Sequence, residues 1–234
     1  MTSRRSSRPS HEPCWRTPRA TRRGLAANRD ADMRVMATSR SGLLALLALG
    51  SSVFAQPSAD DFAARLVDAA MERLSHDVTY DGSYRSIDYP NGDVPDNVGA
   101  CTDLVVRAYR GAGIDLQQAV HEDMESGFAE YPQLWGHRGP DTNIDHRRVP
   151  NLQVFFERNG EVLATPREAD AYRPGDLVTW MLAANLPHIG IVVARRSADG
   201  ERPMLVHNIG NGPELEDVLF EFPITGHYRY DGAR

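Results

Sequence analysis

An ionised cysteine is a strong nucleophile, and histidine is the side chain best placed to take its proton near neutral pH. In this 234-residue chain Cys101, His188 and His207 could supply such a set. Cys101 opens a run with helical spacing, Cys101-Thr-Asp-Leu-Val-Val-Arg-Ala-Tyr-Arg110. The unpaired N–H groups and macrodipole at a helix start favour an anion. The thiol is therefore expected to lean towards thiolate, from ~8.5 into roughly 3.5–7.5 if a charged histidine is near. His188 follows Pro187 at the mouth of a β-rich run, and His207 lies on the next such run. Consecutive strands are often neighbours in an antiparallel sheet, so the two rings are expected side by side. Nucleophile, base and ring-orienting group together make the general arrangement for attack on an acyl carbon. Each residue also has a plainer role open to it: a buried small thiol, an edge histidine, a core histidine.

Export bears on the thiol. Met33 or Met36 begins a segment with Arg34 and Arg40, followed by the apolar run Gly42-Leu-Leu-Ala-Leu-Leu-Ala-Leu-Gly50 and Val53-Phe-Ala55. That is a basic region, a short apolar region and a small-x-small cleavage site, so residues 33–55 read as a signal peptide cut after Ala55. The apolar run is too short to span a bilayer, which takes about 20 residues. No stable membrane span is expected after cleavage, and the protein is expected to be periplasmic or secreted. Residues 1–32, rich in Arg, Ser and Pro, read as an over-extended gene start or a disordered tail. Cys14 lies upstream of the cleavage site, so the mature protein carries Cys101 alone, and a lone exported thiol calls for an explanation.

The chain has 26 basic and 32 acidic residues, of which residues 1–55 hold 10 and 3. Residues 56–234 therefore keep 16 and 29, a net charge of −13. Nucleic acid needs a basic footprint and is excluded as a partner. There is no lysine; every basic residue is arginine. The 179 residues from 56 to 234 suit one domain with its own core.

The elements that must position the three residues follow from periodicity. Residues 58–75 predict a helix, with Ser58 as N-cap and Phe62, Leu66, Ala69, Ala70 and Leu74 as its apolar stripe. Residues 76–100 are rich in turn formers. A second helix starts at Cys101 and is stopped by Gly111 and Gly113; a third covers 115–128. Residues 130–150 form a polar loop, and Asn151 caps a short helix to Phe156. Short β-rich runs follow at 176–182, 188–194, 204–208, 218–222 and 226–230. Helices followed by consecutive strands predict an α+β fold with an antiparallel sheet.

A cysteine at a helix start, then Gly175-Asp-Leu-Val178, His188-Ile-Gly-Ile-Val192 and a strand with a further histidine, resembles the NlpC-type branch of papain-like cysteine peptidases. More specific stretches resemble the YijF-like exported bacterial family, catalogued as a domain of unknown function. They include Asp88-Tyr-Pro-Asn-Gly-Asp-Val-Pro95, Asn143-Ile-Asp-His-Arg-Arg-Val-Pro150, His207-Asn-Ile-Gly210 and Ile224-Thr-Gly-His-Tyr-Arg-Tyr230. The resemblance covers about residues 80–230. It implies a papain-like NlpC-type fold, with Cys101 as nucleophile, His188 as general base and His207 as the residue orienting that base. It also implies an amide bond of peptidoglycan stem peptide, or a related cell-envelope substrate, as the target. NlpC-type enzymes often carry a Tyr about a dozen residues before the cysteine, near the oxyanion; Tyr89 has that spacing.

The chain departs from the branch at the nucleophile, where Ala100-Cys101-Thr102-Asp103 replaces the usual Asp-Cys-Ser-Gly. Asp145, His146 and Arg147 could hold a stem-peptide carboxylate, or form a structural salt-bridge and turn cluster with Arg148. His121 reads as part of a solvated helix face and His227 as structural. No cofactor is expected. Cys101, His188 and His207 have the ligand types for zinc, but no His-x-His or His-x-x-x-His pair supports a metal. A catalytically silent envelope domain with the same fold is the remaining alternative.

Overall fold

The computed structural model describes residues 58–233. The signal-type segment at 33–55, the stretch 1–32 and Cys14 lie outside them. Helix α1 (Ala59–Glu72) starts as the spacing predicts. Ser58 accepts from the Asp61 N–H at 3.1 Å, and Asp61 accepts from the Ser58 N–H at 3.2 Å. This reciprocal pair satisfies two of the helix's orphan donors. Phe62, Leu66 and Ala70 are its buried face.

Two-residue strands β1 (Thr79–Tyr80) and β2 (Val98–Gly99) pair in parallel and lead directly into helix α2 (Cys101–Gly111). Helix α3 (Leu116–Gly127) is capped by Asp115, whose side chain accepts from the Gln117 N–H. Helix α4 spans Val149–Asn159, starting three residues earlier than a helix capped by Asn151 would. Arg148 is its extended N-cap and Pro150 sits in its first turn, where a missing N–H costs nothing.

The large sheet is built from β3 (Glu161–Val162), β4 (Leu177–Leu182), β5 (Leu186–Arg196), β6 (Pro203–Asn208), β7 (Pro213–Glu216) and β8 (Ile224–Arg229). Its order is β3-β8-β4-β5-β6-β7, and every pairing is antiparallel. The expected α+β class with helices packed on an antiparallel sheet is the observed one. Strand β5 is central and buried on both faces, which is why Ile189-Gly-Ile-Val-Val193 is continuously apolar. Ile189, Ile191 and Val193 face the helices, packing with Leu66 of α1, Leu104 and Val105 of α2 and Phe156 of α4. Val178, Trp180, Val192 and Leu205 form a second cluster with Tyr172 and Leu219. Each fully buried Leu, Ile or Phe contributes about 1.5–3 kcal/mol.

The expected strand over 218–222 does not form. The fourth strand of that region is β7, and residues 218–222 are turn. Glu221 donates its N–H to the Val218 carbonyl, and the Leu219 carbonyl accepts from Trp180 Nε1 at 3.1 Å. The apolar run lies over the second cluster as a cover, so its hydrophobicity reports burial without pairing.

One buried ion pair holds the start of α2. Arg147 sits in a short 3-10 turn, Asp145–Arg147. Its Nε reaches Asp103 Oδ1 at 2.7 Å and one Nη reaches Asp103 Oδ2 at 3.0 Å. The two side chains are 1% and 4% exposed. The same guanidinium donates to the Ser83 and Asp81 carbonyls, while Asp103 accepts the Ala100 N–H at 2.6 Å. Thr102 completes the joint by donating its hydroxyl to the Arg147 carbonyl. A buried charge left alone is expensive. Arg147→Met is therefore expected to destabilise the fold by about 3–5 kcal/mol in chemical denaturation. Replacing both partners by apolar residues should recover much of that loss.

Candidate active site

Cys101 is the first residue of α2 and is buried. The backbones of Ile189, the residue after His188, and of Thr102 lie close enough to the thiol to favour its ionised form. The Tyr80 side chain lies beside it and bears on its ionisation. The parallel β1–β2 pairing places Tyr80 there, because it sets residue 80 opposite Gly99. Asn208 of β6 fastens the same corner by donating to the Gly99 carbonyl at 3.1 Å.

His188 and His207 form a direct pair. His188 Nε2 and His207 Nδ1 are 3.1 Å apart, and the rings meet edge to face. Both lie against Trp180, at 5.8 and 6.4 Å between ring centres. Gly190 allows this: a Cβ there would stand 3.1 Å from the His207 Cβ and 3.3 Å from the Trp180 ring. Trp180 belongs to the second core cluster, whereas Cys101 packs in the helix-side core. The Ile189 backbone at the thiol is one residue along β5 from His188, while the two rings lie on the Trp180 side of the sheet. Among the described residues no hydrogen bond joins Cys101 to His188 itself.

The electrostatics differ from the sequence expectation. Burial pushes the Cys101 thiol up to about 11, outweighing the backbone N–H groups that favour thiolate, and the Asp103 charge adds to the rise. Burial, reinforced by His207, pushes His188 down to about 3. Burial likewise lowers His207 to about 4, opposed by the Glu214 carboxylate. At rest the thiol and both imidazoles are thus neutral, in place of the thiolate expected from the helix start. The reason is dehydration: the helix terminus stabilises an anion less than loss of water destabilises it.

The other candidate residues lie elsewhere. Tyr89 packs edge to face on His121, 4.9 Å between ring centres, and its side chain is on the surface. Tyr80, not Tyr89, is the tyrosine at the thiol; a count along the chain could not show this, because strand pairing decides it. Asp145, His146 and Arg147 are all buried. Arg147 is committed to Asp103 and two carbonyls, so the expectation that it holds a substrate carboxylate gives way to a structural role. Asp145 accepts the Asp141 N–H, and burial pushes His146 down to about 4. Arg148 stacks on Trp135 at 3.9 Å. No group of three His, Cys, Asp or Glu side chains among the described residues is arranged to hold a metal ion. No helix among them is long and apolar enough to cross a membrane.

A family model described as a domain of unknown function (DUF1287) matches residues 67–230. The chain is 47% identical over 165 residues to the uncharacterized protein YijF of Escherichia coli (strain K12), covering 70% of this chain and 80% of that protein. Two solved structures are distantly similar. NlpC1 from Trichomonas vaginalis has a TM-score of 0.40 at 15% identity, over 72% of this chain and 44% of that one. An N-acetylmuramoyl-L-alanine amidase from Bacteroides uniformis has a TM-score of 0.42 at 14% identity, over 73% of this chain and 99% of that one. The chain thus spans under half the length of NlpC1 and nearly all of the amidase.

A thiol raised by burial ionises only as the pH climbs towards its raised value. Iodoacetamide labelling of Cys101 should accelerate about tenfold per pH unit from pH 7 to 10, without levelling off. Tyr80→Ala, which lets water reach the thiol, should bring the levelling-off to lower pH. A wild-type plateau near pH 7 would contradict the neutral resting site.

Proposed function

We propose a function for this chain, which belongs to the DUF1287 family of domains of unknown function: it is an exported cysteine hydrolase. Its target is an amide bond of peptidoglycan stem peptide or a related cell-envelope substrate. The observation that carries the proposal is the buried His188–His207 pair at 3.1 Å, with His188 one residue from the backbone that lies at the Cys101 thiol. A pair of dehydrated, hydrogen-bonded rings has no evident structural need, and Cys101, the sole described cysteine, is free and buried.

The steps follow from the roles. His188 takes the thiol proton as Cys101 Sγ attacks the amide carbonyl carbon. The carbonyl oxygen becomes an oxyanion within reach of the Cys101 N–H and the Tyr80 hydroxyl, donors of the kind worth about 2.7–4 kcal/mol each. The C–N bond breaks, and the amine leaves with the proton held by His188. Water then attacks the thioester, His188 takes a proton from it, and Sγ leaves to recover that proton. His207 holds the His188 ring in one orientation throughout. Because the resting thiol is neutral and lies beside Tyr80, the Tyr80 hydroxyl must turn from the thiol to the developing oxyanion as substrate enters.

The raised thiol also favours a second reading, a silent envelope domain that binds without cleaving. One experiment separates the two. Purified peptidoglycan is digested with wild-type protein and with Cys101→Ala, and the fragments are weighed by mass spectrometry. A new amine terminus appearing only with the wild type supports the hydrolase and names the bond. Identical digests from both, with wall fragments still bound, would establish the silent domain instead.

A further inference from the structure

We infer that Glu216 is a positioning residue that fixes which nitrogen of each histidine carries the proton. This deepens the hydrolase reading and rests on it for its catalytic consequence, though not for the ring geometry. His207 has two nitrogens with different surroundings. Nδ1 faces His188 Nε2 at 3.1 Å. Nε2 is sealed from solvent and stands 3.1 Å from Glu216 Oε2 of β7. The carboxylate lies off the ideal hydrogen-bond line, so it acts on Nε2 chiefly as a nearby negative charge. Glu214 is the cross-strand partner of His207, so a second glutamate of β7 shares its face of the sheet.

A carboxylate accepts and cannot donate when ionised. A lone pair on Nε2 facing it would be repelled, whereas an N–H there is attracted. The proton of neutral His207 is therefore held on Nε2. Nδ1 then carries the lone pair, and the 3.1 Å contact can form only if His188 donates from its own Nε2. This places the His188 proton on Nε2 and leaves its Nδ1 with a free lone pair. Nδ1 of His188 makes no hydrogen bond among the described residues, so it is the nitrogen left to act as base. One half-exposed carboxylate, 42% accessible on the last strand of the sheet, thus sets the direction of donation through two buried rings. With the wrong tautomer the same geometry would present an N–H to the thiol and catalysis would fail, as happens when the orienting acid of a serine triad is lost.

The test is nitrogen NMR of the ring atoms in 15N-histidine-labelled protein at pH 7, where burial keeps both rings neutral. Wild type should show the proton on Nε2 of both His188 and His207. Glu216→Leu should populate the Nδ1–H form of His207 at least about tenfold more, with unchanged circular dichroism. Glu216→Gln, which removes the charge at nearly constant size, should shift the pattern in the same direction. Glu214→Gln should leave it unchanged. A wild-type proton on Nδ1 of His207, a pattern unmoved by Glu216→Leu, or a flip caused by Glu214→Gln alone would overturn the inference. Stem-peptide cleavage provides the second readout, expected to drop about tenfold or more in Glu216→Leu, to fall also in Glu216→Gln and to be kept in Glu214→Gln. If wild type cleaves nothing while the ring pattern holds, the hydrolase reading falls and the tautomer assignment stands.

Discussion

The buried Asp103–Arg147 pair is the joint on which the site depends. Asp103 is the acid that stands where the NlpC-type motif has glycine, and the structure explains it. Its carboxylate accepts the Ala100 N–H at the start of α2 and two guanidinium bonds at the same time. Arg147 carries the connection outward to the carbonyls of Asp81 and Ser83, immediately after Tyr80. Three segments far apart in sequence are thereby fixed relative to one thiol. Such a pair adds little net stability over an apolar substitute, but it tolerates only one arrangement of its partners. That suits a site where a tyrosine hydroxyl, a helix start and a strand mouth must converge.

Dehydration is the second constraint. The same packing that fixes Cys101 keeps water from it, and the same sheet that aligns His188 with His207 strips both rings of solvent. Each group is pushed towards its uncharged form, which keeps the thiol unreactive towards adventitious electrophiles. The polar exit from this dry interior runs through His207 to the acidic edge strand.

Local signals in the chain identified much of this. The apolar stripe of α1, the glycine stops after α2 and the unbroken run in β5 each follow from one element's own burial. Cys101, His188 and His207 stood out for the same reason, as chemically capable residues at element ends. What was hidden depends on pairing. Tyr80 reaches the thiol through a two-residue parallel bridge that no periodicity marks. Arg147 finds Asp103 across 44 residues of chain. Strand β7, with glutamates at two of its four positions, lacks an apolar signature, and residues 218–222 have one without forming a strand. The thiol's ionisation cannot be read from the chain, because the helix start is visible in sequence and the depth of burial is not.

Trp180 has a use beyond packing. Its indole is fully buried, is hydrogen-bonded to the Leu219 carbonyl, and has both imidazoles within 6.4 Å. The other tryptophan among the described residues, Trp135, lies at the surface under Arg148. A dry, fixed indole emits at short wavelength, and a neighbouring imidazole quenches it once protonated. The protein therefore carries an intrinsic fluorophore beside its histidines, and blue-edge emission gives an optical view of their charge without any attached dye.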